Sequence, residues 1–559
     1  MKLRLVLLCG ATTLAAVSPA SAADANAFLA SLAAMPHMAA PHVADPAAAP
    51  AAETPAVSTP AHPPAKHTVR VARAEKPVVA AAAPSTSALE QKVAAQQAQI
   101  ALLMAKVDSI QTAPKPEPTP PKPEAPPAKP DSPSWTMANG RPVIASADGH
   151  FTLAIRALGQ FDAAYYSQGA HATQLAAANG PDLSSGQNFR RVQLGVQGKA
   201  FGDWSYQFNY DFGGSSGTES PGRIQAAYVE YDGLAPFAVR IGAFPASAGL
   251  EDNTSASDTM FLERNAPAEL ARNIAGGDGR DAIAVTYAGD RIYGAVSYTG
   301  NKIADAGAFD EQQALLGRLS GLVYSSDAAK IVVSANGTYV FKVADTAAGA
   351  NAPRSFSLSA APELTVDNTG AKLVNTGTLN AEQVFQWGLE TGAQWNSFYG
   401  QAGYFGFAVA ERGVAAAPSV NFGGWYAQAS WVLTGESRGY NAASGAFGNP
   451  KPTTPFAADG MNWGTFEVAA RYSDLNLNDN AGIAGSATPA GGVRGGDQRI
   501  ATLALNWYPN SEIRFELQAQ NTAVNRLGTI PAGFGHGVLS NVQVGQSFSA
   551  LALRSQIAF

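Results

Sequence analysis

Residues 204–212 read WSYQFNYDF, in which Trp204, Tyr206, Phe208, Tyr210 and Phe212 alternate without a break with Ser205, Gln207, Asn209 and Asp211. In a strand, successive side chains point to opposite faces, so one face is aromatic and the other polar. The same period recurs in FTLAIRALGQFDAAYY, RVQLGVQG, FAVRIGAF, TFEVAARY, EIRFELQA and the terminal LALRSQIAF, and in these six the apolar parity carries no charge. An apolar face turned outward and a polar face turned inward is the pattern of a closed barrel in lipid, where strand pairing satisfies every backbone group. The chain ends in this pattern too. Leu551, Leu553, Ile557 and Phe559 share one parity, with Arg554 and Gln556 on the other, as befits a strand that closes a sheet.

The N-terminus supports an exported chain. Lys2 and Arg4 precede an apolar run from Leu5 to Val17 and a small-residue site at Ala20-Ser21-Ala22, so residues 1–22 read as a signal peptide. Cys9, the only cysteine, falls inside it, which leaves the processed chain without a thiol. No later stretch reaches the 18 or so apolar residues that a helical span needs. With 46% hydrophobic and only 14% charged residues, the chain is poor in charge for a water-soluble protein.

Three regions precede the barrel. Residues 23–86 are rich in Ala and Pro and are expected to stay disordered. In 87–112, Leu89, Val93, Gln96, Ile100, Leu103, Val107 and Ile110 follow alternating spacings of four and three, a short heptad seam that predicts a coiled-coil helix. A lone amphipathic helix is the alternative, since so short a seam is marginal by itself. The proline run in 113–140 predicts an extended, semi-rigid spacer.

From 148 to 559 the alternation predicts sixteen antiparallel strands. An even number places both ends of the barrel on the periplasmic side and makes the odd connections the long, external ones. Residues 435–462 break this rule, being long yet periplasmic. Within this region FRRVQLGVQGKAFGDWSYQFNYDFGG, LEDNTSASDTMFLERNAP, SWVLTGESRGYNAASGAFGNPKP and FEVAARYSDLNLND resemble the phosphate-selective porin O/P family. The resemblance implies a sixteen-stranded transmembrane barrel in the Gram-negative outer membrane, a homotrimer, a diffusion pore lined by basic residues, and segments folded into the lumen from both sides. The last would account for 435–462. Where the family commonly has Lys after the Phe matching Phe244, this chain has Pro245.

The expected solutes are therefore small anionic or polar molecules, phosphate or other oxyanions among them, without a strong phosphate preference. Strand parity turns Arg156, Arg191, Lys199, Arg240, Arg318, Arg471, Arg514 and Arg554 into the lumen, with Arg223 of mixed phase. The long segment 245–280 adds Arg264 and Arg272. Opposing them on the lumen parity are Asp162, Asp211, Glu382, Glu390, Glu467 and Glu516. Each arginine is either an anion contact or a brace against a neighbouring carboxylate. Across 140–559, 26 Lys and Arg meet 34 Asp and Glu, a net of −8, but the lumen parity alone is mildly basic. External carboxylates lie beyond a Debye length of about 8 Å, so the wall should set selectivity.

An enzyme is disfavoured: His150, His171 and His536 are scattered, and no nucleophile–base–orienter set appears. No cofactor and no nucleic-acid partner is indicated. A structural reading keeps the barrel as a trimeric anchor that tethers the membrane to peptidoglycan or a surface layer through the N-terminal arm. The terminal Phe559 resembles the signal read by barrel-assembly machinery.

Overall fold

The computed structural model describes residues 86–111, 132–138, 140–168, 183–214, 222–303, 305, 309–349, 351–413, 419–483, 486–530 and 539–559. The signal peptide, the Ala/Pro arm up to residue 85 and most of the proline spacer lie outside the described residues.

Sixteen antiparallel strands close into a barrel. They are β1 (Thr152–Gln168), β2 (Gly186–Ala200), β3 (Trp204–Asp211), β4 (Arg223–Leu234) and β5 (Phe237–Ala243). Then come β6 (Arg280–Ala288), β7 (Ile292–Lys302), β8 (Gln313–Ser325), β9 (Ala329–Lys342), β10 (Leu379–Trp395) and β11 (Phe398–Glu411). Last are β12 (Ser419–Val432), β13 (Thr465–Asp479), β14 (Val493–Tyr508), β15 (Ile513–Ile530) and β16 (Leu539–Ala558). β16 pairs with β1, Arg554 opposite Asp162, and so removes the open edge. Leu551, Leu553 and Ile557 face outward while Arg554 is fully buried inside, as the terminal alternation predicts. The turns on the periplasmic side are tight. The β10–β11 hairpin uses Asn396 at φ 49°, a left-handed position that Asn tolerates.

The outer face of β10–β15 carries two aromatic belts. Trp387, Tyr404, Trp425 and Tyr472 form one, with ring centroids 5.4–5.5 Å apart within the contacting pairs Trp387–Tyr404 and Trp425–Tyr472. Trp395, Phe398 and Trp431 form the other, continued by Phe466, Trp507 and Phe515. Between them lie Leu389, Ala402, Ala427, Ala429 and Ala470. The belts are six to eight residues apart along a strand, about 20–26 Å, and an apolar band between aromatic girdles is the outer face of a barrel in lipid.

One expectation shifts. Residues 134–145, read as the end of the spacer and a gap before the barrel, form a hairpin of Ser134–Ala138 and Arg141–Ala145. Its second strand pairs with β1 just beyond Phe559, so the barrel unit begins there rather than at 148. Pro142 hid this strand; it sits in a two-stranded extension of the rim, where a missing N–H is tolerated. β15 and β16 also run past the membrane, to Ile530 and from Leu539, because their external ends pair with each other as a ribbon.

Helix α1 (Thr86–Gln111) belongs to a separate unit and is described by itself. Val93, Ile100, Leu103 and Val107 of the heptad seam are 50–61% exposed in the single chain. Leu102 and Met104 are equally exposed on other faces, so the seam is not the helix's one apolar stripe.

Candidate functional site

Among the described residues, three connections fold into the lumen. The external segment 244–279 carries helix α2 (Ala266–Ala275), whose first turn is capped by the Asn265 side chain accepting from Ala268 N at 2.9 Å. The external segment 343–378 enters beside it. From the periplasmic side, 433–464 sends in a hairpin of Arg438–Asn441 and Ala446–Pro450. The parity exception at 435–462 is thus a luminal insert. The two sides meet in mid-barrel, where Asn253 donates to Ser444 O at 2.9 Å and Arg438 donates to Asp258 O at 2.9 Å.

The inward-facing side chains of β13–β16 fasten 244–279 by its backbone. Arg514 donates to Thr259 O, Asn506 to Met260 O at 3.0 Å, Arg554 to Leu262 O at 2.5 Å and Arg471 to Glu263 O at 2.9 Å, while Gln518 accepts from Leu262 N at 3.0 Å. Each wall arginine is also paired. Arg554 grips Asp162 with two parallel bonds of 2.6 and 2.7 Å, Arg471 meets Glu363 at 2.5 Å, and Arg514 meets Glu516 at 3.2 Å. All three are at most 3% exposed.

The remaining candidates divide. Arg318 is buried and donates to Ser444 O and Gly445 O of the periplasmic insert, at 2.8 and 2.7 Å. Arg272 lies between Asp252 and Asp278, at 2.6 and 2.5 Å. Arg191 reaches Gln160 at 2.8 Å and Glu263 at 3.7 Å. Arg264 donates to the carbonyls of Glu251 and Thr254, at 3.4 and 3.2 Å. On the opposite wall, Arg156, Lys199 and Arg240 keep part of their surface open to the lumen. Lys199 stands 3.6 Å from Asp232; Arg240 is 2.7 Å from Glu230 with its guanidinium 4.2 Å from the Tyr228 ring centre. Arg156 is held by the amides of Gln197 and Gln207, at 3.0 and 2.7 Å.

The lumen is therefore lopsided. Inward side chains of β8–β16 are largely covered by the inserts, whereas Gln193, Gln197, Gln207, Gln225 and Tyr228 on β2–β4 are half-buried. Open surface on the β1–β5 wall lies mainly in its periplasmic part; further along, Gln160, Asp162, Arg191, Asn209 and Asp211 are buried. A recess of about 520 Å³ opens beside α2, where Arg190, Arg223, Arg264, Arg272, Lys302 and Lys372 meet Glu263, Glu269, Asp278, Asp305 and Glu363.

Parity missed Arg190. A bulge between β1 and β2 pairs Gln160 with Arg191 and Phe161 with Phe189, leaving Arg190 the extra residue, and both arginines turn inward. Arg190 then holds Glu263 with bonds of 2.7 and 3.1 Å. Burial would raise the Glu263 carboxyl, but Arg190, Arg191 and Arg554 outweigh it and hold it well below the usual carboxylate range. Glu363, in the 343–378 insert, and Arg438, bound twice to Glu467 at 2.7 and 2.8 Å, were likewise beyond a strand-parity rule.

Glu251 behaves oppositely. Burial pushes its carboxyl up to about 7, against an ordinary 4.5, and Arg471 and Arg264 offset this only in part. A raised folded value means a contribution to stability fully present below about 4.5 and lost as the pH rises through about 7. The temperature that unfolds the native gel form should therefore fall over that window. Glu251→Gln is expected to flatten the dependence; an unchanged slope in the variant would exclude Glu251 as its source.

A closed barrel with an outer apolar belt and a lumen narrowed by inserts from both sides defines a porin-type channel. The family model for phosphate-selective porin O and P matches residues 170–533, more than half of the chain, and the chain belongs to that family. It is an outer-membrane anion channel of Gram-negative type. Among curated relatives, Porin O of Pseudomonas aeruginosa is 27% identical over 338 residues, covering 58% of this chain and 74% of that one. An uncharacterized protein of Caulobacter vibrioides is 31% identical over 152 residues, 27% of each chain. Solved structures with a similar course include the channel DcaP of Acinetobacter baumannii (11% identity, TM-score 0.40, 73% of this chain and 97% of that one) and an anion-selective porin from Comamonas acidovorans (12%, TM-score 0.41, 73% and 100%).

Proposed function

We propose that small anions and polar solutes pass along the β1–β5 wall, and that Arg156, Lys199 and Arg240, with Arg264 at the recess, give the pore a weak to moderate anion preference. The observation that carries this reading is the contrast in cover. Arg471, Arg514 and Arg554 are spent on carboxylates and loop carbonyls, while the cations of the opposite wall keep surface on the lumen. An anion passing about 4 Å from a guanidinium in water gains about 1 kcal/mol, which alters a permeability ratio severalfold. Arg156→Ala or Arg240→Ala should therefore move the reversal potential in asymmetric KCl toward cations, and Arg514→Ala should leave it in place if the barrel assembles. The opposite ranking would return the selectivity to the sealed wall.

The working unit in this proposal is a homotrimer embedded in outer-membrane lipid, with the arms associating through α1 and reaching toward peptidoglycan. A seam too short to hold alone gains from barrels that already keep three copies close. Cysteine placed at Ile100 should crosslink chains of one trimer, whereas arms that stay monomeric on intact trimers would rule the association out. Phe559, whose backbone exchanges bonds of 2.9 and 3.0 Å with Ala157, is proposed as the contact for barrel-assembly machinery.

A further inference from the structure

The lipid-facing side of β12–β15 is not uniform in height. Strand register sets its residues in level rows. Trp425, Asp474 and Arg499 share one row, and Trp431, Val468, Leu505 and Leu517 share another, nearer the periplasm. Between them Ala427, Ala429, Ala470, Ala501 and Ala519 offer only methyl groups, and the wall dips into a groove of about 370 Å³. On the outer face its lining is apolar except for Tyr472 and Asn521, which share the row next to Arg499 at the external edge.

In hydrocarbon, apolar surfaces gain nothing by leaving lipid, so packing decides what seats in such a dip. A chain that bridged it would leave a void and forfeit the dispersion contacts of the floor. A straight acyl chain lying along it makes those contacts. The groove is also continuous with the lipid-facing band. Trp425 with Tyr472 bounds it on one side, and Trp431 with Phe466, Trp507 and Phe515 on the other, the two girdles of a wall that meets lipid. The external edge is polar. Arg499, 49% exposed, stands 2.7 Å from Asp497 and 3.3 Å from Asp474, and Asn521 donates to Ser549 Oγ at 3.2 Å. One guanidinium against two carboxylates leaves 1 − 2 = −1, which repels a purely anionic head. Hydroxyls both donate and accept. A sugar head therefore suits a row that offers an arginine, carboxylates and an amide beside two aromatic rings.

We infer that this groove seats a glycolipid of the external leaflet, with one acyl chain on the alanine floor and the sugar at Arg499, Asp474 and Asp497. The site is independent of the route through the lumen. In the test, the full chain is reconstituted in phosphatidylethanolamine vesicles and irradiated with a trace of glucosyl diacylglycerol carrying a diazirine in mid-chain, or of phosphatidylglycerol carrying the same chain. Peptide mapping should place the glucolipid label at residues 427–429, 470, 501–503 and 519, several-fold above the phosphatidylglycerol label there. Ala429→Leu with Ala470→Leu fills the groove with side chains that lipid tolerates. It should lower the glucolipid label at least about fivefold, because the chain loses its many small contacts, while label at Leu389 on the same face stays unchanged. Arg499→Gln should keep the label but remove the preference for the sugar head. Gel mobility before and after heating confirms assembly of each variant. Equal labelling by the two lipids in wild type, or label unmoved by filling, would overturn the site. So would a disulfide between chains from Ala470→Cys, which would assign the groove to a second copy.

Discussion

Arg554→Ala is expected to destabilise the barrel by about 3–5 kcal/mol, the usual cost of removing one partner from a buried pair. The side chain is fully buried, so the variant leaves Asp162 charged and unpaired on β1, removes a contact to Glu263 and frees Leu262 O. Its position doubles the damage, because Arg554 and Asp162 face each other across the β16–β1 seam that closes the barrel. The heat-modifiable form should then convert at a clearly lower temperature, and channels that do insert should flicker as residues 259–263 lose their hold. Replacing both partners, Arg554→Met with Asp162→Leu, should recover much of the loss, since no charge is left stranded. An Arg554→Ala barrel as heat-resistant as wild type would mean that the pair contributes nothing to closure.

The second large effect is on conductance. Arg438 ties the periplasmic insert to β13 through two bonds to Glu467, a residue with no exposure, and donates to Asp258 O and Gly448 O as well. Arg438→Ala strands the Glu467 carboxylate in the wall, at a similar cost of about 3–5 kcal/mol. Part of that strain is relieved if the hairpin leaves and water reaches Glu467. The insert also occupies the lumen beside Arg318, Tyr293 and Tyr399, so its departure widens the pore. Larger and noisier single-channel currents, with anion preference reduced by the newly exposed carboxylate, are the expected result. Unchanged conductance in an assembled variant would show that the insert is held by Arg318 and apolar packing alone.

The strands were legible because lipid imposes a strict period of two: Trp204 through Phe212 had no other way to place five aromatics. The inward direction of Arg471, Arg514 and Arg554 followed from the same rule. Their occupation did not, because the partners are carbonyls of Thr259 to Glu263 on a segment more than two hundred residues away in sequence, and every backbone offers carbonyls. Parity also assumes an unbroken register. One bulge in β2 was enough to bring Arg190 inside, and the sequence FRRV does not announce it. The Pro at 245, where the resemblance leads one to expect Lys, was visible, but the contact of Gln197 and Gln207 with Arg156 was not. Amides are common on any polar wall, and only their joint contact with Arg156 sets them apart.

Access to the two walls is the most direct test of the proposed route. Cys9 is the sole cysteine and lies in the expected leader, so single cysteines can be placed without background. With Gln197→Cys on the open wall, a small anionic thiol reagent should react quickly and cut the current while a channel conducts. With Gln518→Cys, buried beneath the insert, the same reagent should leave the current unchanged. Fast modification at residue 518 and protection at residue 197 would place the route behind the insert and contradict a path along β1–β5.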